Sequence, residues 1–387
     1  MQWFRKPDRF SVKMRNVMME QNQMNKPKKS AEPILWGILI FAIVAVLSAA
    51  LFLALYTPNV DDDPQFSTGE TSDKDTIGEN TLYERKKGFY TFLIAGIDAF
   101  SNNTDVLMLA SLDTENGKIE IVQIPRDTYV NKTVGGYASL TRVNAIFSAE
   151  YNSQTSKGIS AKTAKTLAMQ DLQKRLSEAL CINIDEYVLI DTKGFRSVID
   201  AVGGIDYDVP QDMFYEDPEQ ELYINLSKGY QHLNGEQCEQ LIRYRSGYAT
   251  GDIGRVELRG DFMTEVFKQV KNKFSLDAML TLIKDKSLLQ KISTSMSPAD
   301  IFAYVRMCYQ LSDDAVNVRT LSGSVVQNPE TGAWIYYCLN KQKALDDINE
   351  CLNVYRNDIE ISIFDQKEFF SGTKNSSAHY LYEYYHS

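Results

Sequence analysis

The stretch LIRYRSGYATGDIGRVELRGDF gathers Arg243, Arg245, Arg255 and Arg259 within seventeen residues, around Asp252. A guanidinium is planar, permanently charged and suited to bidentate contact with phosphate oxygens. Several of them brought together repel one another unless a multiply charged anion offsets the repulsion, and a diphosphate would do so. Asn234 and Gln237 have the spacing of a capping box, so a helix is expected from there to about Ile242. Arg243 and Arg245, two apart, share a side only if the chain is extended beyond that helix. Asp252 is placed to cap the next helix, on which Arg255 and Arg259, four apart, share one face near its positive end. The competing reading is a set of structural salt bridges in an acidic domain.

Two carboxylates and two further arginines lie upstream. Asp98 closes one apolar run and Asp105 opens the next across the hairpin AFSNNT. Carboxylates paired at a sheet rim are hard oxygen ligands of the kind Mg²⁺ takes, although Asp is also common simply as a turn residue. Arg126 follows Pro125, which ends a strand, so it sits on the loop at a strand's C-terminal end, where α/β sheets bind ligands. Arg142, in LTRVNAIF, is expected to begin a helix.

The elements that must position these residues follow from pattern. FYTFLIAGI (Phe89 to Ile97), VLMLASL (Val106 to Leu112) and KIEIVQI (Lys118 to Ile124) read as strands, the first two apolar enough to be covered on both faces. Helices are expected over Ala161 to Leu180 and Thr192 to Val202, with strands EYVLI (Glu186 to Ile190) and IDYDV between and after them. Interleaved strands and helices predict an α/β fold: a layered α-β-α domain with a central mixed sheet. Beyond the arginines the chain reads as mainly helical to about Arg356, with a helix start near Ser297.

Ile34 to Tyr56 holds no charged residue and is long enough to cross a bilayer once as a helix. Eight Lys and Arg against three acids precede it, and Asp61, Asp62 and Asp63 follow. The positive-inside rule then makes residues 1–33 a cytoplasmic N-terminus and everything after the anchor extracellular. Residues 57–88 are a polar linker, 89–356 the folded domain and 357–387 a tail. Removing the N-terminal charges from the totals of 41 basic and 51 acidic residues leaves 33 and 48, a net charge of −15 outside. A surface so acidic excludes nucleic acid as a partner. Three histidines, two of them in the tail, leave no material for a Ser/His/Asp triad or a His-rich metal site. Of the five cysteines, Cys338 and Cys351 could close a short loop, but buried thiols are the expectation for most.

FLIAGID, NNTDVLMLASLD, IVQIPRDTYV, TRVNAIF, VIDAVGGIDYDVP, LNGEQCEQLIRYRSG and GDIGRVELR, in that order, resemble the LytR-CpsA-Psr family over roughly Phe89 to Phe274, and more weakly to about Arg356. The resemblance implies a membrane-anchored phosphotransferase that moves an anionic glycopolymer, teichoic acid or capsular polysaccharide, from a polyprenyl diphosphate carrier onto peptidoglycan. It implies Mg²⁺, or Mn²⁺, on Asp98 and Asp105, and a diphosphate held by Arg126, Arg243, Arg245 and Arg255. Asp252 matches a further acidic position near that site, and Arg142 stands where the family commonly has lysine. Catalysis would rest on Asp98, Asp105, Arg126 and Arg245. Where the family often reads Arg-Gln shortly after the position of Arg255, this chain has Leu258 and Arg259. A polyprenyl diphosphate hydrolase and a non-catalytic wall-binding protein are the alternatives.

Overall fold

The apolar run Phe89–Ile97 is strand β1 and sits at the heart of the sheet, with Thr104–Asp113 (β2) and Lys118–Gln123 (β3) following it as an antiparallel meander. A computed structural model of the chain describes residues 56–60, 84–97, 102–130, 142–218, 222–244, 252–327 and 334–365. The anchor segment expected over 34–56 lies outside these residues, Tyr56 excepted. Among the described residues no helix is long and apolar enough to cross a membrane. The chain divides into two compact units, 1–56 and 57–387, and the second holds every element below.

Helices α1 (Ala145–Ser156) and α2 (Ala161–Leu180) cross over to β4 (Glu186–Asp191), which pairs parallel with β1. After α3 (Thr192–Ala201) come four short strands, β5 (Ile205–Val209), β6 (Met213–Asp217), β7 (Leu222–Leu226) and β8 (Gly229–Leu233). They pair as β5 with β8 and β6 with β7, both antiparallel. Helices α4 (Gly235–Arg243), α5 (Asp252–Lys273), α6 (Leu276–Lys284) and α7 (Lys286–Leu289) follow. Then come β9 (Ile292–Thr294), α8 (Pro298–Tyr309), β10 (Val316–Thr320), β11 (Gly323–Gln327), β12 (Trp334–Leu339), α9 (Lys341–Cys351) and α10 (Ile361–Asp365). The main sheet runs β10-β3-β2-β1-β4-β9 and is mixed.

Period-two alternation assigns the two faces of the sheet. Phe89, Leu93, Ala95 and Ile97 of β1, with Leu107 and Leu109 of β2, pack against Ile146 and Phe147 of α1, Met169, Leu172 and Leu176 of α2, and Leu345 and Ile348 of α9. Residues of the opposite parity, Tyr90, Phe92 and Ile94 with Met108, Ala110 and Leu112, meet Met263 and Phe267 of α5 and Tyr304 of α8. This is the expected α-β-α layering. Helix α2 holds together because Ser160 caps its first turn and Cys181, in the left-handed region at φ 56°, ends it where glycine is usual. Burying Met169, Leu172 and Leu176 stabilises the layer by about 2 kcal/mol each. A third cluster, from Ile199, Val209, Ile224, Leu241, Leu258 and Phe262, joins α3, α4 and α5 to the small hairpins.

The C-terminal third differs from the helical expectation. Among the described residues four strands lie between Ile292 and Leu339, and β9 and β10 form the two edges of the main sheet. Three and five residues long, they carry too little pattern to be read from sequence. The folded body also continues past 356, since Ile363 and Phe364 of α10 are buried in the main core. Arg142 precedes α1 rather than opening it and forms an isolated bridge with Tyr129. Arg85, within the stretch expected to be linker, is instead buried before β1 and pairs with Asp185 at 2.5 Å, with side chains 5% and 2% exposed. Thr91 adds backbone N–H and hydroxyl donors to the same carboxylate.

All five cysteines are thiols, Cys338 and Cys351 included, and four are buried. Burial pushes Cys238 and Cys351 up to about 12 and Cys308 up to about 11. A thiol labels through its thiolate, so at pH 8 the native protein should react with iodoacetamide far more slowly than the chain in guanidinium, which should take up five equivalents. Rapid stoichiometric labelling of Cys238 or Cys351 under native conditions would contradict this packing.

Candidate functional site

The register of β1 on β2 pairs Gly96 with Val106 and Ile97 with Thr104, skipping Asp105. Asp105 is therefore the extra residue of a β-bulge, a device that re-aims a side chain at a sheet rim. Gly96 lets the strands close on this side, since a Cβ there would lie 3.0 Å from Val106 Cβ. The segment before the bulge is tied to α1: the backbone N–H and hydroxyl of Thr104 donate to Asn144 O, and the Ser148 hydroxyl reaches Asn103 Oδ1 at 2.7 Å.

Pro125 ends β3, and Thr128 closes a turn on it through its N–H and its hydroxyl, both to the Pro125 carbonyl. The turn presents Arg126, whose Nη1 lies 3.2 Å from Asp105 Oδ1 and whose Nε lies 3.6 Å from Asp127 Oδ2. The other oxygen of Asp127 faces Arg142 Nε at 3.4 Å, and the Arg142 guanidinium stands 5.5 Å from the centroid of the Tyr336 ring. Asp105, Arg126, Asp127 and Arg142 thus form an alternating row at the rim, with side chains 24% to 45% exposed. Tyr129, beside Tyr336, has its phenol pushed up by burial and stays protonated there.

Helix α4 begins with the capping box between Asn234 and Gln237 and ends at Arg243, followed by extended backbone at Tyr244. Arg243 Nη1 donates to Glu239 Oε1 at 2.9 Å. Arg259, on α5, is buried; its Nε donates to Ile242 O at 3.2 Å and its Nη1 to Asp105 O at 3.4 Å. One guanidinium therefore ties the bulge carbonyl to the residue preceding Arg243. The sheet rim carrying Asp105 and Arg126 and the helix end carrying Arg243 are brought together by the side chain that departs from the resembled pattern.

Asp98 and Arg245 lie outside the described residues. Asp252 is the first residue of α5 and Arg255 belongs to its first turn, but their side chains are also outside the description. Among the described residues no group of three or more His, Cys, Asp or Glu side chains is gathered for a metal. Three participants were not singled out from sequence. Asp127, adjacent to Arg126, gave no sign of its direction, and Tyr336 lies two hundred residues away. Glu239 could have been found, because it stands four residues before Arg243 on a helix.

Comparison with known proteins covers most of the chain. The LytR_cpsA_psr family profile matches residues 56–353. The Bacillus subtilis (strain 168) polyisoprenyl-teichoic acid–peptidoglycan teichoic acid transferase TagV is 26% identical over 294 residues, 74% of this chain and 70% of that protein. A crystal structure of B. subtilis TagV matches with a TM-score of 0.52 at 21% identity, over 74% of this chain and 100% of that one. A structure of TagT bound to LIIa-WTA matches with a TM-score of 0.51 at 21% identity, over 74% and 96%. These structural likenesses bear on the fold.

Replacing Arg259 by Met keeps an unbranched apolar stem and removes both donors, leaving the carbonyls of Ile242 and Asp105 without them. The expected loss is about 2–3 kcal/mol in urea unfolding of the chain. A change under about 0.5 kcal/mol, the level of an ordinary surface substitution, would show that these bonds do not hold α4 to the sheet.

Proposed function

This chain belongs to the LytR_cpsA_psr family, and on that footing we propose that it is a membrane-anchored phosphotransferase. It moves an anionic glycopolymer from a polyprenyl diphosphate carrier onto peptidoglycan on the outer side of the cell membrane. The observation that carries this reading is the contact of Arg126 with the bulged Asp105, 3.2 Å apart, at the rim to which Arg259 ties the end of α4. Phosphoryl transfer asks a protein mainly for positioning and for charge stabilisation, and arginines converging on one rim supply both without a covalent nucleophile.

Arg126, Arg142, Arg243, Arg245 and Arg255 would receive the diphosphate oxygens. Arg126 and Arg142 are held in place by Asp127 and are partly open to solvent, so an anion can exchange with the carboxylate for their donors. Arg259 is buried with Nε and Nη1 on backbone carbonyls, and its support for the diphosphate would come mainly from its charge. An acceptor hydroxyl on peptidoglycan attacks the phosphorus next to the glycan in line with the bridging oxygen. The new P–O bond forms as the bond to that oxygen breaks, and polyprenyl phosphate leaves. The hydroxyl proton passes to a carboxylate of the set Asp98, Asp105 and Asp252.

Magnesium belongs to this proposal. The oxygen chemistry of Asp105, partly exposed on the rim, fits a hard cation once a second carboxylate joins it, and Asp98 and Asp105 would be its ligands. When bound, the ion would offset charge on the phosphoryl oxygens. The run Ile34 to Tyr56 would keep the site near the leaflet where the carrier lies.

The test uses the full-length chain in detergent with a lipid-linked glycan and peptidoglycan oligomers. Transfer predicts a covalent glycan conjugate, dependent on Mg²⁺ and lost with chelator; release of free glycan phosphate alone would make the protein a hydrolase. Arg126→Ala and Asp105→Asn should each lower turnover by roughly 10²–10³ with the thermal transition preserved. Undiminished turnover in both would refute the site, and no turnover in the unaltered chain under any of these conditions would favour a wall-binding role.

A further inference from the structure

Glu239 is a charged side chain only 3% exposed, and it holds two arginines at once. Oε1 accepts from Arg243 Nη1 at 2.9 Å, and Oε2 accepts from Arg196 Nε on α3. The place is rigid. A Cβ on Gly235 would lie 2.2 Å from Arg196 O, so α3 and α4 meet at backbone distance, and Asp200 Oδ1 accepts the Gly235 N–H at 2.7 Å. A buried carboxylate without partners would cost several kcal/mol, so its presence here means that two cations are always supplied to it.

We propose that Glu239 is a positioning residue for the diphosphate site: by fixing Nη1 of Arg243 it aims the remaining donors of that guanidinium outward at the lipid carrier's phosphates. The inference rests on the reading of Arg243 as a diphosphate ligand and deepens it. Arg243 is the last residue of α4, where a long side chain otherwise samples many rotamers. The pair spans one helical turn, i to i+4, in the favourable order of acid before base. Among the described residues Glu239 is the one partner seen for Arg243, whose side chain is 22% exposed, so Nε and Nη2 remain for a ligand. The same carboxylate lowers the repulsion that Arg243 meets from the other arginines when no anion is bound. Arg196 serves a different end. Its charge balances Glu239 from the α3 side, so that the carboxylate is not neutralised by Arg243 alone.

The experiment is a double-mutant cycle on the full-length chain, read by KM for the lipid-linked donor, by kcat, and by inhibition with inorganic pyrophosphate. Arg243→Gln should raise KM and the pyrophosphate inhibition constant about tenfold, the worth of one charge-assisted hydrogen bond. Glu239→Gln, which keeps the shape and removes the charge, should raise both by a similar factor while kcat moves less than about twofold. The double variant should be no worse than Arg243→Gln alone, because Glu239 acts through Arg243. A merely structural Glu239 would instead lower the thermal transition, spread its effect over kcat, and add fully to Arg243→Gln, and that result overturns the proposal. If Glu239→Gln does not fold, Glu239→Asp, which draws the charge back by one methylene, takes its place in the same cycle. If Arg243→Gln itself leaves KM and pyrophosphate inhibition unchanged, the diphosphate reading fails; if Arg243→Gln acts and the Glu239 variant does not, only the positioning role fails.

Discussion

One guanidinium holds the site together. Asp105 stands at the bulge between β1 and β2, and its part-buried carbonyl needs a donor. Arg259 Nη1 supplies it, while Nε of the same side chain holds Ile242 O at the end of α4. Apolar packing joins α4 to α5 around Leu258 and Phe262, and α5 to the sheet through Met263 and Phe267. Apolar packing is non-directional, and a phosphoryl site needs donors set to within fractions of an ångström.

Legibility followed the length and strength of each pattern. The central strands, α2 and the capping box at Asn234 are strongly periodic or carry a specific cap, and all stand where expected. The mixed sheet and the α-β-α layering followed from the alternation of those elements. What escaped was short or distant. β9 and β10 close the sheet edges with three and five residues, and their place depends on partners Val188 to Ile190 and Ile119 to Gln123 far away in sequence. The bulge depends on a register shift of one residue, which no composition encodes.

Within the site, residue types were easier to read than directions. Arg243, within its arginine cluster, and Arg126, after Pro125, are legible as cations, whereas their anionic keepers, Glu239 and Asp127, are not. The keepers decide whether the cations can converge at all. Arg259 shows the converse: grouped with the phosphate ligands by its spacing from Arg255, it is buried and spends Nε and Nη1 on backbone. Helical spacing groups Arg259 with Arg255, but spacing alone does not show that Arg259 is enclosed.

Residues 34–387 carry a net charge of −15, and that imposes a further logic on their arginines. In such a field each cation is drawn to a carboxylate before any ligand arrives, and the rim displays that arrangement: Asp105 on Arg126, Asp127 on both Arg126 and Arg142, Glu239 on Arg243. A ligand must therefore win donors from resident carboxylates rather than bind bare charge. A monoanion offers no more than the carboxylate it displaces, so the exchange gains little. A diphosphate would offer several oxygens to several guanidiniums at once, and so could offset the cost of separating the resident pairs. Under the proposed function, pre-pairing of this kind would favour a multiply charged headgroup over a monoanion.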